Sequence, residues 1–162
     1  MTRCSMTRYS VLCFAMSFAL AALAQAPTEA GNKGSSLQVR VKYTGAGSVD
    51  EAHKIYVSLW DTPDFAKEGS SGMPPFVTMP VTSKSGTAKF QDVQKSPVYV
   101  GIAYDPTGKW DAQSEPPAGT SLGLYNKEKG VPAPIQLEPG KTTKVSAMLD
   151  DSYKKSDMEK KQ

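Results

Sequence analysis

Cysteine and histidine are almost missing from this chain. Its two cysteines, Cys4 and Cys13, both fall before residue 14, and His53 is its single histidine. The body of the protein therefore has no disulfide and no thiolate nucleophile. It also lacks the His and Cys sets that hold zinc, and the His–His or Cys–His pairs used in catalysis. His53 is followed by Lys54 where an extended run begins, a setting that reads as solvent-exposed. Soft ligands are scarce too. Met73 and Met79 bracket a proline-rich stretch, but thioethers with one distant His make a thin copper set.

An excess of charge of one sign is also missing. The chain carries 19 basic and 16 acidic side chains, for a net charge of +3. Arg3 and Arg8 supply two of those positive charges, so the rest of the chain stands near +1. The lysines are scattered among Asp and Glu, and no basic stripe forms in the order before the tail. Composition thus gives no argument for a nucleic acid or an anionic membrane as partner.

Long apolar runs number only one. Val11 to Leu23 is apolar except for Ser17, shorter than the ~20 residues of a spanning helix. Arg3 and Arg8 precede it, no acid occurs before Glu29, and Ala24-Gln25-Ala26 follows with small residues at the cleavage positions. Positive n-region, apolar h-region and small-residue site are the three parts of a secretory signal. The expectation is a signal peptide over 1–26, a flexible leader over 27–36, one domain over 37–150, and a charged, disordered tail over 151–162. The mature product is then periplasmic or secreted, with no membrane span.

Helix-period segments are absent beyond a turn or two. What is present is alternation. Leu37, Val39, Val41 and Tyr43 alternate with Gln38, Arg40 and Lys42; Ile55, Val57 and Leu59 alternate with Tyr56, Ser58 and Trp60. Phe76 to Ser83 is extended, with Pro80 marking an edge or a bulge. Val98, Val100, Ile102 and Tyr104 form the most apolar strand, placed centrally, with Gly101 and Ala103 small on its other face. Thr142 to Leu149 is the last strand, after a Glu-Pro-Gly-Lys turn. Seven or eight short strands separated by turns predict an all-β fold, a single β-sandwich.

The run Ile55 to Leu149 resembles the transthyretin-like, or carboxypeptidase-regulatory-like, domains of small bacterial secreted proteins. The residues that carry the likeness are Gly-Thr-Ala-Lys-Phe-Gln-Asp-Val at 86–93, Pro-Val-Tyr-Val-Gly-Ile-Ala-Tyr at 97–104 and Leu-Glu-Pro-Gly-Lys-Thr-Thr-Lys-Val at 137–145. The resemblance implies a Greek-key, immunoglobulin-like sandwich with no active site of its own. Transthyretin-like ureide hydrolases carry several His and a C-terminal Tyr-Arg-Gly-Ser run, and this chain has neither. The Asp105 loop is also similar to an uncharacterised secreted family through Asp105, Gly108, Asp111, Gly123, Tyr125 and Asn126. It departs from that family at Pro106, Thr107, Lys109 and Trp110, where Asx residues would stand.

Two long loops, 61–75 and 105–119, hold the candidate sites. Trp60, Phe65, Trp110 and Tyr125 are aromatics that can stack on sugar rings or protein side chains; alternatively, Trp60 and Trp110 close the ends of the core. Asp105, Asp111 and Glu115 can surround one calcium ion, or Asp105 can organise a turn before Pro106 with Gly108 at positive φ. The expectation is a non-catalytic binding or accessory module of the bacterial envelope, contacting a protein or glycan through these loops. A calcium-stabilised module is the alternative, and a hydrolase of envelope polymers a third class.

Overall fold

Alternation along each strand decides which face is buried, and the structure follows it closely. The structure, a computed structural model, describes residues 33–67, 73–128 and 130–156. The signal peptide expected over 1–26 lies outside the described residues. The strands are β1 (Ser35–Tyr43), β2 (Ile55–Trp60), β3 (Val77–Val81), β4 (Ser85–Val93), β5 (Tyr99–Tyr104), β6 (Ser121–Leu124), β7 (Asn126–Glu128), β8 (Val131–Pro132) and β9 (Thr142–Leu149). Seven of them build two sheets, ordered β4-β1-β9 and β3-β2-β5-β6, and β7 pairs with β8 in a small ribbon. Among the described residues, no helix is long and apolar enough to cross a membrane.

The inner faces of the two sheets meet in one core. Leu37, Val39 and Val41 of β1 are fully buried, as are Ile55, Val57 and Leu59 of β2. Phe90, Val98, Val100, Ile102, Tyr104 and Leu149 belong to the same cluster. Full burial of each such side chain is worth about 1.5–3 kcal/mol, so the alternation fixes the sandwich. Val98 to Tyr104 is central, as its apolarity predicts, with β5 between β2 and β6. β3 lies at the sheet edge, where Pro80, which lacks an N–H to donate, is tolerated.

β1 is flanked antiparallel by β4 and parallel by β9. The parallel pairing requires the chain to cross between sheets before β9 returns beside β1. Ile135 joins the structure through a two-way backbone bridge with Val98, at 2.9 and 3.0 Å, rather than through a full strand.

Both borders of the domain differ from the sequence expectation. The leader predicted over 27–36 already contributes Ser35 and Ser36 to β1. The tail predicted to be disordered from 151 is docked through residue 156. The Lys155 N–H donates to Thr120 O, and the Gly119 and Leu122 N–H groups donate to Lys155 O and Tyr153 O. Asp151 accepts from Tyr43 Oη and Ser121 Oγ, each at 2.8 Å, and Lys155 pairs with Glu115. Charge in this segment is not solvated slack; it satisfies backbone and hydroxyl groups at the end of the sandwich.

Candidate functional site

The outward positions of β2 and β5 define one face of the four-stranded sheet. Tyr56, Ser58 and Trp60 point outward from β2, opposite Ala103, Gly101 and Tyr99 of β5. Gly101 matters because it has no side chain. A Cβ built there would come within 2.6 Å of the Trp60 ring and 3.0 Å of the Phe65 ring. In that space the two rings stack with centroids 4.1 Å apart and planes within 7° of each other.

Local chemistry delivers Phe65 to this position. Pro63–Ala66 is one turn of 3₁₀ helix, its first turn capped by Thr62 Oγ1, which accepts from the Asp64 N–H at 3.2 Å. Pro63 presets the φ of the turn. Trp60 Nε1 donates to Met73 O at 3.0 Å, tying the far end of the loop to the stack. The Phe76 N–H donates to Leu59 O, and Lys95 pairs with Asp61 at 2.6 Å while lying 4.8 Å over the Phe76 ring. Asp61 is held below the usual carboxylate range, first by the Lys95 hydrogen bond. Residues 68–72 lie outside the described residues.

The second loop is organised by Asp105, which is 3% exposed. Its carboxylate accepts from the Thr107 hydroxyl and N–H and from the Lys109 and Trp110 N–H groups, at 2.7–3.1 Å. Burial pushes the Asp105 pKa up, and these hydrogen bonds from Thr107, Trp110 and Lys109 overcome it, leaving the group below its ordinary value. Gly108 has φ 66°, as the turn reading predicts, and a Cβ there would meet Ala52 O at 2.5 Å. The turn aims Trp110 edge-on at Tyr56, with centroids 5.1 Å apart at 75°. Trp110 Nε1 donates to Ser114 O at 2.9 Å. Burial raises the Tyr56 phenol, and the negative charges of Asp111 and Asp105 raise it further.

Three of the four predicted aromatics share this face. Trp60, Phe65 and Trp110 are half-buried on its outside. Tyr125 is not among them: it packs against the core, on the inward side of the chain leaving β6. Tyr56 and Gly101 were missed as site residues. Their signal was the β2 alternation that sets Tyr56 beside Trp60, and the glycine in an otherwise apolar strand.

The calcium set is not brought together. Asp105 is consumed by its own loop, Glu115 is paired with Lys155, and exposed Asp111 accepts from the Gln113 N–H. Among the described residues, no three His, Cys, Asp or Glu side chains are grouped to hold a metal ion. A carboxylate already satisfied by four protein donors has little left to offer a cation that seeks 6–8 oxygens. His53 is partly exposed and bonded to its neighbour Asp50, Nδ1 to Oδ1 at 3.0 Å.

No protein-family model matches this chain, and no curated protein or solved structure matches it either.

Proposed function

We propose that this is an exported, non-catalytic β-sandwich of the bacterial envelope, of transthyretin-like type, that grips a protein or glycan through loops 61–75 and 105–119. The observation that carries the reading is the Trp60–Phe65 stack over Gly101, with Trp110 on Tyr56 along the same strand face. Both indole N–H groups are bonded to carbonyls of their own loops, so the rings are held before any partner arrives. Fixed aromatic surface binds with little ordering cost, which is why such rings anchor interfaces. The carboxylates around the face serve structure: Asp105 holds its loop, Asp61 holds Lys95 and Glu115 holds Lys155.

The chain has only two tryptophans, and both sit on this face. Intrinsic fluorescence therefore reports the proposed contact directly. The test titrates the protein with solubilised peptidoglycan fragments and with fractionated envelope proteins. A saturable emission change that disappears in Trp110→Ala, with the melting temperature kept, supports the reading. An emission that no envelope fraction alters, or partner capture that survives both Trp60→Ala and Trp110→Ala, defeats it.

A further inference from the structure

The opposite face of the sandwich has a different chemistry. The outward residues of the three-stranded sheet come from β1, β4 and β9. In one cross-strand row Lys89 and Lys144 flank Gln38; in the next, Thr87 and Ser146 flank Arg40; Lys42 follows beside Ser85. Arg40, Lys42, Lys89 and Lys144 are all exposed and enter no salt bridge among the described residues. The only carboxylate in these three strands is Asp92, at the bulged end of β4. A shallow groove of about 280 Å³ lies on this face over Arg40, Gln38, Lys144 and Val145.

We propose that this face is a docking surface for an acidic polysaccharide, a linear chain of carboxylated or sulfated sugars. Four cations on one surface, with no salt bridge among the described residues, create a local positive field although the chain after residue 26 is close to neutral. Their spacing is regular: neighbouring strands stand ~4.8 Å apart, so Lys89 and Lys144 lie ~10 Å from each other across Gln38. Arg40 presents a planar fork that matches a carboxylate or sulfate with two parallel hydrogen bonds. The hydroxyls of Thr87 and Ser146 and the amide of Gln38 sit between the cations, where a sugar offers hydroxyls. A nucleic acid is a poorer match, since among the described residues no aromatic ring stands on the outward positions of these strands to stack a base. A membrane is also poorer, because among the described residues of these strands Met148, at one end, is the one exposed large apolar side chain.

The proposal stands apart from the aromatic face and is tested apart from it. The probe is polygalacturonate, with dextran as the uncharged polymer, and the protein is the full chain. At low salt the protein binds polygalacturonate and not dextran, and the affinity falls steadily as salt rises. Lys89→Glu/Lys144→Glu weakens binding at least about tenfold, and Arg40→Gln alone weakens it severalfold. Lys127→Glu/Lys154→Glu makes the same change in net charge elsewhere and leaves binding within about twofold. Trp60→Ala leaves it unchanged, which separates this surface from the aromatic one. Equal loss in the two double variants, no binding by the wild type, or retention on phosphatidylglycerol vesicles without retention on the polymer overturns the proposal.

Discussion

The Tyr43 hydroxyl donates to Asp151 Oδ1 at 2.8 Å, joining the end of the first strand to the segment after the last. Asp151 also accepts from Ser121 Oγ at 2.8 Å and from the Ala46 N–H at 3.1 Å. One carboxylate thus ties three distant parts of the chain, and it lies in the stretch whose composition reads as a tail.

Asp151→Ala is expected to lower unfolding free energy by about 2 kcal/mol, because it orphans a buried phenol and a hydroxyl. The Ser121 and Tyr43 hydrogen bonds hold the Asp151 pKa below 3.8. A depressed carboxylate stabilises the fold above its unfolded pKa and ceases to do so as pH falls through its folded one. Urea melts of Asp151→Asn and wild type should therefore converge in strong acid. A constant gap from neutral to acid pH contradicts the assignment.

At the alkaline end Tyr43 takes over. Burial, then the hydrogen bond to Asp151, pushes its pKa from 10.0 up to about 12. The unfolded phenol ionises first, so the stability present below pH 10 declines as pH rises toward 12. The decline amounts to roughly 3 kcal/mol. Tyr43→Phe flattens that slope. Ultraviolet titration should also show late-ionising phenols, because Tyr56 and Tyr104 are raised as well, each chiefly by burial.

Asp105→Ala removes the acceptor of the Trp110 N–H and leaves the Lys109 N–H only Thr107 Oγ1, at 3.3 Å. A loss of about 3 kcal/mol is expected, together with a change in Trp110 fluorescence as the Tyr56 contact opens. Calcium and chelator should give the same melting temperature in the wild type. A rise with calcium that disappears in Asp111→Asn would restore the metal reading of this loop.

Gly101→Ala tests the aromatic stack without removing a ring. The new methyl cannot coexist with Trp60 and Phe65 at their present positions. The expected result is a red-shifted Trp60 emission and a destabilisation of about 1–3 kcal/mol. Unchanged emission with unchanged stability would show that the rings do not rest on this glycine.

Much of this was legible in the order of residues. Ile55-Tyr56-Val57-Ser58-Leu59-Trp60 states its strand and its two faces. Pro80 marked an edge or a bulge, and the edge is what forms; Asp105-Pro106-Thr107-Gly108 allowed a turn or a metal loop, and the hydrogen bonds to Asp105 make it a turn. Tyr125 was misassigned because aromatic character does not tell which face a residue takes. The parity of β6 does, and it turns Tyr125 inward beneath outward Leu124.

The sequence by itself determined the all-β class and the buried face of each strand, because side chains alternate with a period of two wherever the backbone is extended. Tertiary structure alone decided the neighbours. Lysines that look scattered along the chain become one cationic face when β4 and β9 settle on either side of β1. Phe65 finds Gly101, and Asp151 finds Tyr43, only when the sandwich closes. Such pairings depend on register between segments far apart in the chain, and a shift of one residue would turn every side chain to the other face.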